Sequence, residues 1–147
     1  EIQMIRYEGE FTYRFEVEEE VLSCLTVKMV LQPLVENAIY HAMHLISDGE
    51  IVISAKISDG KLLLTVRDNG GLMTLEQAEK INAKLRKMPV EKADFGVGIV
   101  NVNDRIRFVC GDEYGLYFIC GEGYTVARLI LPIDLKGEDN VADSDCR

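Results

Sequence analysis

Three short polar stretches interrupt the apolar pattern of this 147-residue chain, and each holds side chains or glycines that could do chemistry. The first stretch contains Glu36 and Asn37, within a segment of helical periodicity. A carboxamide oxygen is a neutral, hard ligand, which suits a divalent cation that already carries phosphate oxygens. The same residues also fit an ordinary solvated helix face, and the helix taken alone favours that simpler interpretation.

The second stretch is the turn Asp-Asn-Gly-Gly at residues 68–71, directly after a predicted strand. A carboxylate at a strand end, followed by a glycine turn, can accept a hydrogen bond from the exocyclic amine of adenine while the backbone passes close to the base. Turns of this composition are also common where no ligand binds. The turn is therefore a weak signal by itself.

The third stretch, residues 96–101, opens a predicted helix with the sequence GVGIVN. Gly96 and Gly98 allow backbone N–H groups to converge on a phosphate, and the helix dipole favours the negative charge. The stretch lacks the third glycine and the immediately preceding strand of a dinucleotide-binding fingerprint, and no Gly-Lys-Ser/Thr follows as in a P-loop. Alone, this glycine pair is also a weak signal.

Regular elements must position these stretches, and the first two elements follow from their periodicity. Phe11–Val17 alternates apolar and polar residues, which predicts a half-buried strand. Residues 27–46 have a helical period with their apolar side chains in one arc. Pro33 either begins this helix in its first turn or kinks it. The opposite side of the helix carries polar side chains, namely Asn37, Tyr40, His41 and His44.

The remaining elements are two strands, two helices and two strands, at residues 51–57, 62–67, 74–88, 99–110, 115–120 and 124–133. Asp59-Gly60 is a hairpin signal between the first two of these strands. Thr74 is the predicted N-cap of the next helix, whose predicted apolar face is Leu75, Ala78, Ile81 and Leu85. The order of elements predicts an α/β (α+β) fold: a two-layer α/β sandwich whose mixed, mostly antiparallel sheet carries its helices on one face.

The net charge of −9 excludes partners that require a basic surface. Nucleic acid and anionic lipid both need basic side chains to neutralise phosphates, so neither is expected as a partner. Most of the acidic excess lies at the ends, because residues 1–20 hold seven acidic and two basic residues and residues 134–147 hold five and two. Residues 21–133 hold 13 acidic and 12 basic residues, so the middle of the chain is close to neutral.

The chain is predicted to form one domain over residues 1–147, with its core at about 11–133 and a flexible acidic tail at 134–147. It begins without an initiator Met, and we expect it to be a fragment of a longer protein. No apolar run approaches the ~18–20 residues that span a bilayer. The four cysteines show no CxxC pair and no zinc-type spacing, which predicts free thiols in a reducing cytoplasm.

Together and in this order, the three stretches resemble the ATP-binding motifs of the GHKL superfamily, which includes gyrase, Hsp90, histidine kinases and MutL and has the Bergerat fold. The run LQPLVENAIYH at residues 31–41 is similar to the asparagine box of YesM/LytS-type bacterial sensor histidine kinases. Residues 68–70 resemble the first glycine box, and residues 96–105 resemble the second. Residues 121–132, GEGYTVARLILP, resemble the final glycine–threonine strand.

The resemblance implies a binding role for each motif. Asn37 would coordinate the Mg²⁺ that bridges the phosphates of ATP, Asp68 would accept a hydrogen bond from the adenine amine, and Gly70 would let the backbone lie against the base. Gly96, Gly98 and the N–H groups after them would hold the phosphates beneath a lid at about residues 74–95. The other residues that the resemblance implies in nucleotide binding are Tyr40, His41, Met73, Ile99 and Thr125.

Glu36 is the catalytic residue that the resemblance implies. It stands where ATPase relatives keep a general base that activates water. In a kinase the attacking group is a histidine, so there Glu36 would orient that imidazole or the ligands of the metal.

Two positions depart from the family pattern. Leu72 replaces the second glycine of the first glycine box, where a side chain would stiffen the hinge of the lid or crowd the pocket. Tyr124 stands where threonine is usual, and Thr125 follows one place later. Because a slip of one residue reverses the facing of a strand side chain, we expect the threonine that supports Asp68 to be missing unless the strand slips.

The resemblance implies the ATP-binding catalytic domain of a two-component sensor histidine kinase. Such a domain transfers the γ-phosphate of ATP to a histidine on a separate dimerisation domain of the same protein, and a response regulator then takes the phosphoryl group. His41 and His44 are the only histidines here and lie on the predicted pocket helix, so neither is expected to be the acceptor. The full-length protein is expected to be a membrane-anchored homodimer, with this domain soluble on the cytoplasmic side.

Two other functions stay open at this point. Leu72 and Tyr124 are compatible with a degenerate nucleotide-binding or sensing module that transfers nothing. Glu36 is compatible with a self-contained GHKL ATPase, although ATPases of that kind add long segments that 147 residues cannot hold.

Overall fold

The computed structural model describes residues 4–7, 11–42, 48–87 and 97–133. Within these ranges the chain forms six strands, three α-helices and one 3₁₀ helix. In chain order they are β1 (Met4–Tyr7), β2 (Phe11–Val17), the 3₁₀ helix (Glu19–Ser23), α1 (Gln32–Ala42), β3 (Gly49–Ser58), β4 (Lys61–Asp68), α2 (Leu75–Leu85), α3 (Val97–Cys110), β5 (Gly115–Gly121) and β6 (Tyr124–Pro132). The predicted tail at residues 134–147 lies outside the described residues.

The six strands form one sheet in the order β1-β2-β3-β4-β6-β5. The β2–β3 pair is parallel, because the chain crosses over through α1 between these two strands, and the other described pairs are antiparallel. The prediction of a mixed, mostly antiparallel sheet is therefore confirmed. The β3–β4 hairpin turns at Asp59 and Gly60, whose φ angles of 51° and 71° are those of the predicted Asp-Gly turn.

The core lies between one face of the sheet and the helices. Alternate residues of β4 and β6 are buried on this face, as expected for strands with one side covered. Helical side chains complete the cluster from the other layer, and its most deeply buried members are Leu34, Ile51, Leu62, Val66, Leu85, Ile106, Leu129 and Leu131. The predicted two-layer α/β sandwich is confirmed. Among the described helices, none has the length and apolar character that a membrane span requires.

The start of α1 corrects the predicted helix at residues 27–46. The helix begins at Gln32 and is described as far as Ala42, while residues 43–47 lie outside the described residues. Pro33 is its second residue, so the proline begins the helix in its first turn and does not kink it. Met29, with a φ of 60°, has left-handed backbone conformation, which a right-handed helix starting at residue 27 could not contain.

Helix α2 begins at the predicted cap. The Thr74 hydroxyl accepts a hydrogen bond from the Gln77 backbone N–H at 3.2 Å, and the Gln77 side chain accepts one from the Thr74 N–H at 2.8 Å. These two bonds form a capping box. The predicted apolar face is wrong at Leu75, which is 65% exposed, whereas Ala78 and Leu85 of the same face are buried.

Two asparagines join the helices to the edge strand β5. The Asn82 carboxamide donates to the backbone O of Phe118 at 2.8 Å and accepts from its N–H at 2.7 Å. Asn103 is 1% exposed, donates to the Leu85 carbonyl at 2.9 Å and accepts from the Leu116 N–H at 3.1 Å. These side chains hold α2, α3 and β5 in one arrangement and satisfy backbone groups that an edge strand leaves open.

Candidate functional site

Asp68 ends β4 and lies buried on the face of the sheet that the helices cover, with 2% of its surface exposed. Its Oδ1 accepts a hydrogen bond from the Gly70 backbone N–H at 3.0 Å. This contact between an aspartate and the N–H two residues later fixes the turn and the orientation of the carboxylate. The predicted Asp68–Gly70 pair is thus brought together at a strand end.

Asn69 was not singled out as a site residue, yet it organises the same turn. Its Oδ1 accepts from the Glu50 N–H at 2.7 Å, and its Nδ2 donates to the Asp48 carbonyl at 2.8 Å. These bonds tie the turn to the chain that enters β3 after α1. The only signal in the sequence was the asparagine of the Asp-Asn-Gly turn, which is a residue type that commonly hydrogen bonds to nearby backbone.

Thr125 lies directly opposite Asp68 in the β4–β6 pairing, and only 1% of it is exposed. A threonine therefore does lie beside Asp68, which corrects the expectation that it would be missing there. The reason is the register of β6, which turns Tyr124 to the outer face, where its ring centre lies 4.8 Å from the Arg67 guanidinium carbon. The Thr125 hydroxyl oxygen is buried and has no hydrogen-bond partner among the described residues.

Two glycine turns pack against each other beside this pair. Gly71 has a φ of 60°, and a Cβ there would lie 3.0 Å from the Gly123 Cα. A side chain at Gly71 would therefore need both a strained backbone and a shift of the turn before β6. Leu72, the departure from the family pattern, is 45% exposed.

The polar side of α1 faces the first turn of α3. A Cβ at Gly98 would lie 3.1 Å from the Pro33 Cβ, so glycine allows this close approach of the two helices. Asn37 follows Pro33 by four residues, which places both on one side of α1, and Asn37 is half-buried. Glu36 is exposed, and its Oε1 accepts a hydrogen bond from Gln32 Nε2 at 3.0 Å.

The other predicted site residues differ in how far they are buried. Ile99 is buried at 7% exposure in α3, and Met73 is half-buried against the core after the Asp68 turn. Tyr40 lies on α1 with 61% of its surface exposed. His41 belongs to α1 by its backbone, but its side chain is outside the description, and Gly96 lies outside the described residues.

The side chains of the described residues do not make a metal centre by themselves. In the described ranges there is no group of three or more His, Cys, Asp or Glu side chains that could hold a metal ion. A cation at Asn37 would therefore take most of its ligands from phosphate oxygens and water, which is the usual way in which Mg²⁺ accompanies a nucleotide.

The site contains two groups of binding atoms at different places. At the ends of β4 and β6, a buried carboxylate and a buried hydroxyl can recognise a planar polar group such as a nucleobase. At the start of α3, the leading backbone N–H groups have no carbonyl partner within the helix, which favours an anion, and Asn37 lies on the adjoining face of α1. A nucleotide contains both kinds of group.

Comparison with known proteins shows the family of the chain. The family profile described as histidine kinase-, DNA gyrase B-, and HSP90-like ATPase matches residues 25–133. Sensor histidine kinase YesM of Bacillus subtilis (strain 168) is 32% identical over 138 residues, covering 93% of this chain and 22% of YesM. Sensor histidine kinase BtsS of Escherichia coli (strain K12) is 31% identical over 134 residues, covering 90% of this chain and 21% of BtsS. The chain therefore spans about a fifth of the length of these relatives.

Solved structures have the same fold. The catalytic domain of histidine kinase ThkA matches with a TM-score of 0.57 and 16% identity, over 85% of this chain and 80% of ThkA's domain. The histidine kinase domain from Erythrobacter litoralis EL346 matches with a TM-score of 0.57 and 15% identity, over 86% of this chain and 53% of that one. The chain therefore belongs to the histidine kinase-, DNA gyrase B- and HSP90-like ATPase family, and its domain is of the type that sensor histidine kinases contain.

Proposed function

We propose that this domain binds Mg²⁺-ATP and presents the γ-phosphate to a histidine on another domain of a longer sensor kinase. The observation that carries this proposal is the inward-facing pair of Asp68 and Thr125 at the ends of β4 and β6. The pair provides a buried carboxylate held by the Gly70 N–H and, beside it, a hydroxyl without a partner among the described residues. Buried polar atoms are nearly always hydrogen bonded, so an orphaned one beside a carboxylate supports a ligand or an ordered water there.

Adenine fits the chemistry of this pair. The Asp68 carboxylate can accept a hydrogen bond from the exocyclic amine of adenine, and the Thr125 hydroxyl can both donate and accept hydrogen bonds. The turns at Gly71 and Gly123, which adjoin Asp68 and Thr125 in the chain, pack backbone against backbone, because Gly71 carries no side chain. The base would therefore bind at the strand ends, with its phosphates directed to the helices.

The phosphates would lie at the first turn of α3. Its leading N–H groups have no carbonyl partners within the helix and are oriented for an anion, with Gly98 and Ile99 in this first turn. Asn37 would supply a neutral oxygen to the Mg²⁺ on the phosphates, with Tyr40 and His41 one turn further along α1. The magnesium ion would supply charge neutralisation during transfer, and the protein would supply positioning.

Glu36 would act at the γ-phosphate end of the site. It is an exposed carboxylate next to Asn37, and its hydrogen bond to Gln32 orients it. In phosphotransfer to a histidine, the attacking imidazole nitrogen needs orientation more than it needs deprotonation. We therefore assign Glu36 the role of orienting that imidazole or the water ligands of the metal.

The partners follow from the relatives, which are sensor histidine kinases of which this chain covers about a fifth. ThkA has been solved in complex with the response regulator protein TrrA. By this analogy, the longer protein would contain the acceptor histidine, form a membrane-anchored homodimer with this domain in the cytoplasm, and pass its phosphoryl group to a response regulator.

Calorimetric titration with Mg²⁺-ATP tests the nucleotide site. We expect the Asp68→Asn variant to bind at least about tenfold more weakly than the wild-type chain, because it loses a hydrogen bond to a charged acceptor worth about 1.5–3 kcal/mol. Asp59→Asn, the same substitution in the exposed β3–β4 turn, is the control and should bind like wild type. Equal affinity for wild type and Asp68→Asn would refute the adenine assignment.

Phosphotransfer is tested on the full-length protein with γ-labelled ATP. Acid-labile label on a histidine outside residues 41 and 44 is the expected result. Binding of ATP without any label transfer would instead indicate a nucleotide-sensing module. The observation behind this alternative is Leu72, a half-exposed side chain in place of the second glycine of the first glycine box. Steady hydrolysis by this domain alone that Glu36→Gln abolishes would indicate an ATPase.

A further inference from the structure

Cys120 lies next to the Asp68–Thr125 pair on the same face of the sheet. On β5 it pairs with Thr125 of β6, and Thr125 in turn pairs with Asp68 of β4. Residues that pair directly across neighbouring strands share a face, so the three side chains form a row beneath the helices. Cys120 is half-buried and is a free thiol.

The backbone pattern of β5 brings the Cys120 and Thr125 side chains close together. The backbone groups of Phe118 bond to Asn82, and the N–H of Leu116 bonds to Asn103, so both residues direct their backbone groups away from β6. Backbone N–H and C=O groups point to alternate sides of successive residues in a strand. Cys120 is two residues after Phe118, so its backbone groups also point away from β6. Cys120 and Thr125 are therefore a non-hydrogen-bonded pair, the kind in which opposite side chains approach most closely, with Cα atoms about 4.5 Å apart.

A second observation indicates that a ligand group belongs on this row. The Thr125 hydroxyl, between Asp68 and Cys120, is buried and has no hydrogen-bond partner in the part of the chain that the structure describes. The Cys120 thiol is therefore adjacent to a buried hydroxyl whose hydrogen bonds a ligand could complete.

We propose that Cys120 is a covalent modification site in the wall of the nucleotide pocket, reactive toward α,β-unsaturated carbonyl compounds and protected by bound nucleotide. The proposal rests on the proposed function of the Asp68–Thr125 pair. The thiol loses its proton to solvent, its sulfur bonds to the β-carbon of the electrophile as the C=C π bond breaks, and the α-carbon takes a proton from water. The thioether places new atoms beside Thr125 and excludes the base.

The other cysteines provide controls. The Cys24 thiol contacts the Glu20 carbonyl at 3.8 Å, after the 3₁₀ helix and away from this row. Burial raises the pKa of the Cys110 thiol, so that a smaller fraction of it is the reactive thiolate at neutral pH. Cys146 lies outside the described residues.

The experiment uses two variants of the whole chain, each with one cysteine. One keeps Cys120 (Cys24→Ser, Cys110→Ser, Cys146→Ser), and the matched control keeps Cys24 (Cys110→Ser, Cys120→Ser, Cys146→Ser). Mass spectrometry follows N-ethylmaleimide addition with and without saturating Mg²⁺-ATP. We expect ATP to slow the reaction of Cys120 at least about tenfold, since the free site is then a small fraction of the protein, and to leave Cys24 within about twofold. After alkylation of Cys120, calorimetry should show the loss of ATP binding, which unalkylated Cys120→Ser retains.

Each other outcome overturns the proposal. If ATP binds but leaves the Cys120 rate unchanged, or if the alkylated chain binds ATP normally, the proposal is wrong while the proposed function stands. If Cys120 reacts only in urea, the thiol is inaccessible and the proposal is wrong. If the unmodified chain does not bind ATP at all, the proposed function fails and this proposal fails with it.

Discussion

Asp68 and Thr125 face each other across β4 and β6, and both side chains point toward the helices. The carboxylate is held by the Gly70 N–H, whereas the hydroxyl has no partner in the described ranges. Such a pair, made of one satisfied and one unsatisfied polar group in a buried place, is costly for the free protein. Its presence is explained if a bound base or an ordered water completes the hydrogen bonds.

Replacing Thr125 with Val should separate folding from binding. Valine keeps the shape and removes the unpartnered hydroxyl, so the free energy of unfolding should stay unchanged or rise by up to about 1 kcal/mol. Affinity for Mg²⁺-ATP should fall about fivefold, the equivalent of one neutral hydrogen bond. Urea denaturation and calorimetry measure the two quantities.

Two controls accompany this variant. Thr125→Ser keeps the hydroxyl and should keep the affinity, with a stability loss of about 1 kcal/mol for the missing methyl group. Thr65→Val lies on the outer face, where the Thr65 hydroxyl bonds to Ser54, and should leave the affinity unchanged. A Thr125→Val chain that is less stable and binds ATP normally would contradict the assigned role.

Asn37→Ala should remove the contribution of the metal to nucleotide binding. Alanine favours the helix, so α1 should fold normally. The wild-type chain is expected to bind ATP more tightly in Mg²⁺ than in EDTA, because the Asn37 oxygen ligates the metal on the phosphates. In the variant the two affinities should become similar, with the EDTA value unchanged. A variant that keeps the full difference between Mg²⁺ and EDTA would show that Asn37 is not the ligand.

Gly71→Ala and Gly60→Ala compare the same substitution at two positive φ angles of 60° and 71°. At Gly60 the new Cβ meets nothing within 4 Å, so only backbone strain of about 1 kcal/mol is expected. At Gly71 the Cβ would lie 3.0 Å from the Gly123 Cα, which should add about 1 kcal/mol or more and weaken ATP binding. Equal urea midpoints for the two variants would contradict the close packing of the two turns.

Asn82→Ala tests how α2 is held on the edge strand. The variant loses two hydrogen bonds to the Phe118 backbone and should lower the free energy of unfolding by about 1–3 kcal/mol. Glu79→Ala, an exposed position on the same helix, should change it by no more than about 0.5 kcal/mol. If urea denaturation gives the same value for both variants, the Asn82 bonds do not stabilise the fold.

Local sequence patterns are sufficient to predict much of the fold. The alternation in Phe11–Val17, the Asp59-Gly60 turn and the Thr74 cap each predicted an element that the structure confirms. These signals depend on neighbouring residues only. Strand β1 was not predicted, because Met4–Tyr7 is too short for alternation to be distinguished from chance.

The features that were missed depend on distant residues. No local sequence pattern singles out Asn82 or Asn103, because their carboxamides bond to backbone as far as 36 residues away. The facing of Thr125 was predicted wrongly because it depends on the register of β6 against β4. The sequence does contain one signal for the facing of Thr125. Arg128 lies four positions after Tyr124, so the two share a strand face, and the charge of Arg128 indicates that this face is the outer one. Thr125 then lies on the inner face.

The most direct test of the central claim compares ATP with inosine triphosphate, in which a carbonyl replaces the exocyclic amine of adenine. If the Asp68 carboxylate accepts a hydrogen bond from that amine, the wild-type chain should prefer ATP at least about tenfold, since the carbonyl would face the carboxylate and repel it. The Asp68→Asn variant, whose amide can donate to the carbonyl, should lose or reverse this preference. Equal binding of the two nucleotides by the wild-type chain, or the same preference in both proteins, would contradict the account.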